Sequence, residues 1–231
     1  MIEDCFAERE RVKIHYLKSG GSSDLTPPVY LPGFGRDADS IKDEVRRFHP
    51  RQVFGVGNRG VGKSSVTKTG YSFESRVGDL AAVIENAALE PFCLMSFSMG
   101  VPVALGYALE QPENLKGLIL LDYRAQYPKL PKVWTDGVAQ TSDLSPEYIF
   151  GTQLESNQVN LWSKLPSVSC PVRIIRGGKS GALSAKEGEK YVSLLPNARQ
   201  IIFGDSGHEV YKPDYERFVT TLETFLGSLG S

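Results

Sequence analysis

No apolar run in this chain approaches the roughly 20 residues that a membrane helix requires, so a membrane-spanning helix is not expected. A basic excess is missing as well. Lys and Arg number 26 against 27 Asp and Glu, a formal charge of −1. Such a balance supplies no field for holding nucleic acid or an anionic membrane surface, and neither is expected as a partner. Cysteine is sparse and odd in number: Cys5, Cys93 and Cys170 lie far apart, which suggests neither a disulfide framework nor a metal knuckle. No metal and no other cofactor is expected from the residue pattern. The opening stretch MIEDCFAERERVK is broken by charges and lacks the apolar core of a signal peptide, which makes the cytoplasm the expected location. Internal repeats and low-complexity tracts are lacking too.

What is present is an ordinary globular composition, 41% hydrophobic and 23% charged, with a marked strand–helix rhythm. Residues 1–18 read as two short strands. In the second, Val12, Ile14 and Tyr16 alternate with Lys13 and His15, the period-2 pattern of a half-buried strand. From residue 28 onward the apolar runs are short and mostly do not alternate: PVYL (28–31), VFGV (53–56), FCLM (92–95), LILL (118–121), VRII (172–175) and QIIF (200–203). Strands covered on both faces read this way. Helical stretches separate them, over 40–48, 74–89, 99–110, 185–195 and 214–226. The alternation predicts an α/β fold with a mostly parallel, doubly wound sheet, helices on both faces and right-handed crossovers. Residues 124–168 break the rhythm with prolines, Trp134 and Trp162, and are expected to form a short lid inserted into a core of 1–123 and 169–231.

Three motifs compete for the chemistry. Residues 57–64, GNRGVGKS, match the phosphate-binding loop pattern G-x-x-x-x-G-K-[ST] in full, and LILLD (118–122) resembles its magnesium-binding partner strand. Such a loop must feed directly into a helix whose N-terminal amides complete the phosphate cradle. The residues that follow, Ser65-Val66-Thr67-Lys68-Thr69-Gly70, are poor helix formers, so a glycine-rich turn is expected instead. The overlapping Gly55-x-Gly57-x-x-Gly60 imitates a dinucleotide fingerprint and fails the same test.

The second motif, SFSMG (96–100), follows the strand FCLM and precedes the helical run MGVPVALGYALE. A serine at the apex of a strand–turn–helix is a nucleophile elbow, normally written G-x-S-x-G. Gly100 supplies the small residue after Ser98, and Ser96 stands in for the first glycine. The competing reading is a serine that merely caps a helix. The third motif, QIIFGDSGHEV (200–210), delivers His208 in a glycine-bearing loop after the last strand. A hydroxyl is a weak nucleophile until a base takes its proton, and His208 supplies that base. His15, on an N-terminal strand, and His49, before Pro50, are expected to be structural.

With elbow, late histidine and rhythm together, the chain resembles the α/β-hydrolase family over nearly its whole length. LPGFGRD (31–37) is similar to the family's oxyanion loop, with Pro32 where histidine is common. That likeness implies oxyanion donors in the backbone N–H groups of Phe34 and Met99. VFGVGNRGVGKSS resembles the family's strand–D-x-R-G-x-G-x-S turn, with Asn58 near the usual Asp position. SCPVRIIRGGKS (169–180) resembles the strand that leads to the triad's acid. The sequence departs from the family there: Arg176 to Ser184 contain no carboxylate, and Glu187 falls in the next helix. Asp122, at the end of LILLD, is the expected substitute, as in some relatives that carry their acid on that strand; ordering a lid is its competing role. Asp205 and Glu209 flank His208 too closely in sequence to reach its imidazole.

The reading implied is a serine hydrolase, of carboxylesterase or thioesterase type, that forms an acyl-enzyme at Ser98 with His208 as base and Asp122 as acid. A small-molecule substrate is expected, with Tyr123, Trp134 and Trp162 of the lid region as candidate pocket residues. Three alternatives stay open at this level. They are a lyase or cofactor-free dioxygenase using the same Ser/His/Asp edge, a non-catalytic ligand-binding homologue, and a phosphate-loop nucleotide-binding protein.

Overall fold

The computed structural model describes residues 1–22, 24–42, 47–110 and 112–230. Its centre is an eight-stranded sheet in the order β1-β2-β4-β3-β5-β6-β9-β10. The strands are β1 (Ile2–Arg9), β2 (Val12–Ser19), β3 (Pro28–Leu31), β4 (Phe54–Val56), β5 (Phe92–Phe97), β6 (Leu115–Leu121), β9 (Val172–Gly177) and β10 (Ala198–Phe203). The β1–β2 and β2–β4 pairs are antiparallel. The β4–β3, β3–β5, β5–β6, β6–β9 and β9–β10 pairs are parallel. All six runs expected as buried strands are strands.

Alternation along these strands divides two cores between the faces of the sheet. Phe92 and Leu94 of β5 and Leu118 and Leu120 of β6 join one core, against α1 (Phe73–Asn86), α2 (Gly100–Ala108) and α5 (Ala185–Leu194). Cys93, Met95, Phe97, Ile119 and Leu121 join the other, against α6 (Tyr215–Gly227). The doubly wound arrangement follows directly from strands that are apolar on both sides. The expected half-buried alternation of β2 is not kept. His15 is as buried as its neighbours because Asp4 and Ser64 close over that face. The helix expected over 40–48 opens as a 3-10 turn, Ala38–Ile41, and its 43–46 portion lies outside the described residues.

Between β6 and β9 the chain leaves the sheet. It forms the two-stranded β7 (Gln126–Tyr127) and β8 (Val159–Asn160), with α3 (Lys132–Thr141) and α4 (Pro146–Glu155) between them, and a 3-10 segment, Trp162–Ser167. Glu155 ties this segment down by accepting from the backbone N–H groups of Gly70, Tyr71 and Ser72. Among the described residues no helix is long and apolar enough to cross a membrane.

Candidate active site

Parallel register brings the chemistry to one edge. Phe97 and Leu121 are paired across β5 and β6, so Ser98 and Asp122 follow side by side at the carboxyl ends of adjacent strands. Both residues take a left-handed backbone, φ +53° at Ser98 and +51° at Asp122, which is uncommon for side chains larger than glycine. Each is held there by the sheet: Ser98 N–H donates to the Leu121 carbonyl and Asp122 N–H to that of Ile175. The chain then turns sharply, and α2 begins at Gly100.

The turn works because its surroundings are small. A Cβ at Gly100 would lie 2.8 Å from the Leu31 carbonyl oxygen, and one at Gly33 would lie 2.8 Å from Ser98 Cβ. The loop after β3 is thereby pressed against the serine. Two side chains brace it: Asn58 Nδ2 donates to the carbonyls of Gly33 and Arg36, both at 2.8 Å, and the Tyr148 hydroxyl accepts from Gly35 N–H at 2.8 Å. Ser96 fits at the first small position, fully buried, with its hydroxyl turned to the Ile119 carbonyl.

His208 closes the constellation. Its Nε2 lies 2.8 Å from Ser98 Oγ, and its Nδ1 lies 2.8 Å from Asp122 Oδ2. A carboxylate can only accept, so this pairing puts the imidazole proton on Nδ1 and leaves Nε2 free to accept from the serine. Asp122 is fully buried. Its Oδ1 accepts from Gly177 N–H at 2.8 Å, and its Oδ2 also takes a short hydrogen bond from Ser180 Oγ. A buried carboxylate with three donors is well solvated by the protein. The stretch that lacks an acid, Arg176 to Ser184, therefore supplies hydrogen-bond donors to an acid on the neighbouring strand.

The surrounding rings complete the walls. Phe97 packs 4.7 Å from the His208 ring, and Tyr123 stands 6.4 Å from it. Trp134 meets Phe34 edge-on at 4.9 Å, and Tyr148 meets the same ring at 4.9 Å. Trp162 is placed elsewhere: it is buried against Tyr191 at 4.7 Å, under the Lys190 ammonium. Asp205 pairs with Lys179, and Glu209 with Lys212 and Tyr211, so neither flanking acid is spent on the imidazole.

Two features were not legible in advance. Asn58 looks like a substitution in a turn and proves to be the clamp of the loop at residues 33–36. Arg76 reads as one polar position of an amphipathic helix, yet it is buried among Tyr71, Asn58 and Thr152. Only the meeting of α1 with α4 reveals it.

The phosphate-loop motif is spent structurally. No helix follows Ser64, and α1 starts at Phe73 with Ser72 as its cap. Lys63 Nζ lies 2.6 Å from Asp4 and 3.7 Å from Asp39. Asp4, His15 and Asp39 would otherwise form a group of metal-ligating side chains, and the lysine supplies the cation there.

Comparison with known proteins agrees with this geometry. The Hydrolase_4 family model (serine aminopeptidase, S33) matches residues 29–140. The AB hydrolase superfamily protein YisY of Bacillus subtilis is 24% identical, over 87% of this chain and 92% of that protein. A hydrolase from Pseudomonas aeruginosa superimposes with a TM-score of 0.84 at 16% identity, covering 97% of this chain and 98% of the other. An esterase from Exiguobacterium antarcticum does so with a TM-score of 0.81 at 21% identity, covering 97% and 100%.

The chain has the α/β-hydrolase fold.

In this fold the strand order places β5 at the middle of the parallel run, with β3 and β6 on either side. The loop after β3, the turn after β5 and the carboxylate after β6 therefore converge at one point of the sheet edge, where ligand sites of open α/β sheets form. The loop after β10 reaches the same point with His208.

Proposed function

We propose that this protein is a serine hydrolase that cleaves an ester or thioester of a small molecule through an acyl-enzyme on Ser98. The observation that carries the reading is the continuous chain Ser98 Oγ–His208–Asp122, with 2.8 Å at each imidazole nitrogen. His208 Nε2 takes the hydroxyl proton as Ser98 Oγ attacks the carbonyl carbon, and Asp122 stabilises the imidazolium that forms. The Phe34 and Met99 N–H groups receive the oxyanion. Among the described residues neither amide is used in a hydrogen bond, and Gly33 keeps that loop against the serine. Donors of this kind are worth about 10²–10³ in rate each. The imidazolium then protonates the departing alcohol or thiol. Water, deprotonated by His208, attacks the acyl-serine, releases the acid and restores the hydroxyl.

Residues 124–168 act as the lid in this reading. Trp134 and Tyr148 stack on Phe34, and Tyr123 flanks His208, which gives the acyl group an apolar surround. The similar structures of an esterase and a hydrolase point the same way.

An alkyl fluorophosphonate tests the proposal. The expected result is one covalent adduct on Ser98, absent in Ser98→Ala and slowed by orders of magnitude in His208→Ala. Folded wild-type protein that takes up no label at Ser98 overturns it.

A further inference from the structure

Behind the loop at residues 33–36 lies a narrow cavity, with about 20 Å³ open to the centre of a water molecule. Gly33, Phe34 and Met99 line it, the residues that flank Ser98, and Arg76 and Tyr127 form part of its far wall. Burying an arginine without a counter-ion is costly, because the guanidinium keeps its charge and loses its water.

Arg76 is nine-tenths buried, and no described carboxylate lies within ion-pair distance of it. Its donors go to neutral acceptors: Nε to the Tyr71 carbonyl at 3.3 Å, Nη1 to Asn58 Oδ1 at 3.3 Å and Nη2 to Thr152 Oγ1 at 2.9 Å. The Tyr148 ring, 5.5 Å away, gives partial compensation only. Asp79 also lines the cavity, but Arg59 holds its carboxylate through two hydrogen bonds and Arg9 approaches it at 3.6 Å. Glu155, one turn beyond Thr152, is taken by three backbone amides. The cavity is left with one surplus positive charge. It holds a further donor too: the Tyr127 hydroxyl is buried beside the guanidinium and finds no acceptor for its proton. Arg76 lacks a counter-ion and the Tyr127 hydroxyl an acceptor, and a carboxylate would supply both.

We propose that the cavity is a carboxylate subsite, in which Arg76 and the Tyr127 hydroxyl bind an acid group carried on the substrate's acyl chain. The preferred substrates are then half-esters or half-thioesters of short dicarboxylic acids. This assignment rests on the serine-hydrolase reading for its catalytic step, while anion binding stands independently of it.

Mono-4-nitrophenyl esters of succinic, glutaric and adipic acids, set against the 4-nitrophenyl esters of butanoic, pentanoic and hexanoic acids, test the preference at matched chain length. At least one diacid ester should exceed its neutral partner about tenfold or more in kcat/KM, the size expected of a charged hydrogen-bonded contact. Arg76→Gln should bring that ratio towards one, and Arg76→Lys should retain part of it. Tyr127→Phe removes one hydroxyl and keeps the ring, and should lower the ratio severalfold. Glutarate should raise the Tm of the wild type and of Ser98→Ala, and should not do so in Arg76→Gln. Equal rates for the paired esters, or an equal loss on both in Arg76→Gln, overturn the subsite even where Ser98 is labelled by fluorophosphonate. If Ser98 takes no label, the glutarate shift decides the subsite alone, and its absence overturns it.

Discussion

Ser180 Oγ and His208 Nδ1 donate to the same oxygen of Asp122, Oδ2. The family's usual acid position is thus occupied by a residue that orients the acid from the next strand. A serine there can hold a carboxylate and cannot replace one.

The first prediction follows from that pairing. Asp122→Asn should lower kcat by about 10⁴, as loss of the orienting carboxylate does in studied triads. Ser180→Ala should lower kcat about tenfold with little change in KM, because it frees one side of the carboxylate without removing the charge. In the double variant Asp122→Asn/Ser180→Asp the carboxylate returns beside Nδ1. At least about tenfold of the lost kcat should be recovered relative to Asp122→Asn. Steady-state kinetics on a chromogenic ester, with circular dichroism to verify folding, measures all three. Full activity in Asp122→Asn removes it from the triad.

Asn58 should matter through the loop it clamps. Its side chain satisfies the carbonyls of both Gly33 and Arg36, and Asn58→Ala leaves both without that donor. Stability should fall by about 1–3 kcal/mol in urea titration. Because the same loop carries Phe34 N–H, kcat should fall more than KM rises. Asn58→Asp keeps the size and loses the donor, so it should fail to restore either quantity. A kcat equal to wild type in both variants shows the loop to be held without it.

Alkaline pH should destabilise the fold through buried tyrosines. Burial pushes the Tyr191 hydroxyl well above its ordinary value, and burial raises that of Tyr148 too. A raised pKa in the folded state means that the unfolded chain releases its protons first. The contribution is fully present below the unfolded value of about 10, and is lost as pH climbs from there towards the folded value. Urea midpoints should therefore fall as pH rises above about 10, more shallowly in Tyr191→Phe. That variant gives up the hydrogen bond to the Tyr123 carbonyl at neutral pH. An equally steep decline in Tyr191→Phe assigns the loss to other groups.

The strands, the elbow and the late histidine were legible because each is local. A buried strand is written in four to six consecutive apolar residues, and the elbow in five. The identity of the acid was legible only by elimination: no carboxylate follows β9, and Asp122 ends the adjacent strand. Trp162 misled because aromatic character carries no direction. Whether a ring faces the pocket or Tyr191 depends on how the segment after β8 turns.

The sequence by itself determined the α/β-hydrolase architecture and the positions of Ser98 and His208, since periodicity and turn chemistry act over a few residues. The tertiary structure alone decided that Ser180 supports Asp122, that Asn58 clamps the loop at 33–36, and that Arg76 is buried without a carboxylate. Those relationships join residues 58, 22 to 25, and 76 positions apart, and they depend on where α1, α4 and the loop after β9 come to rest. Electrostatic pairing is a property of distance in space, and a chain records only distance along itself.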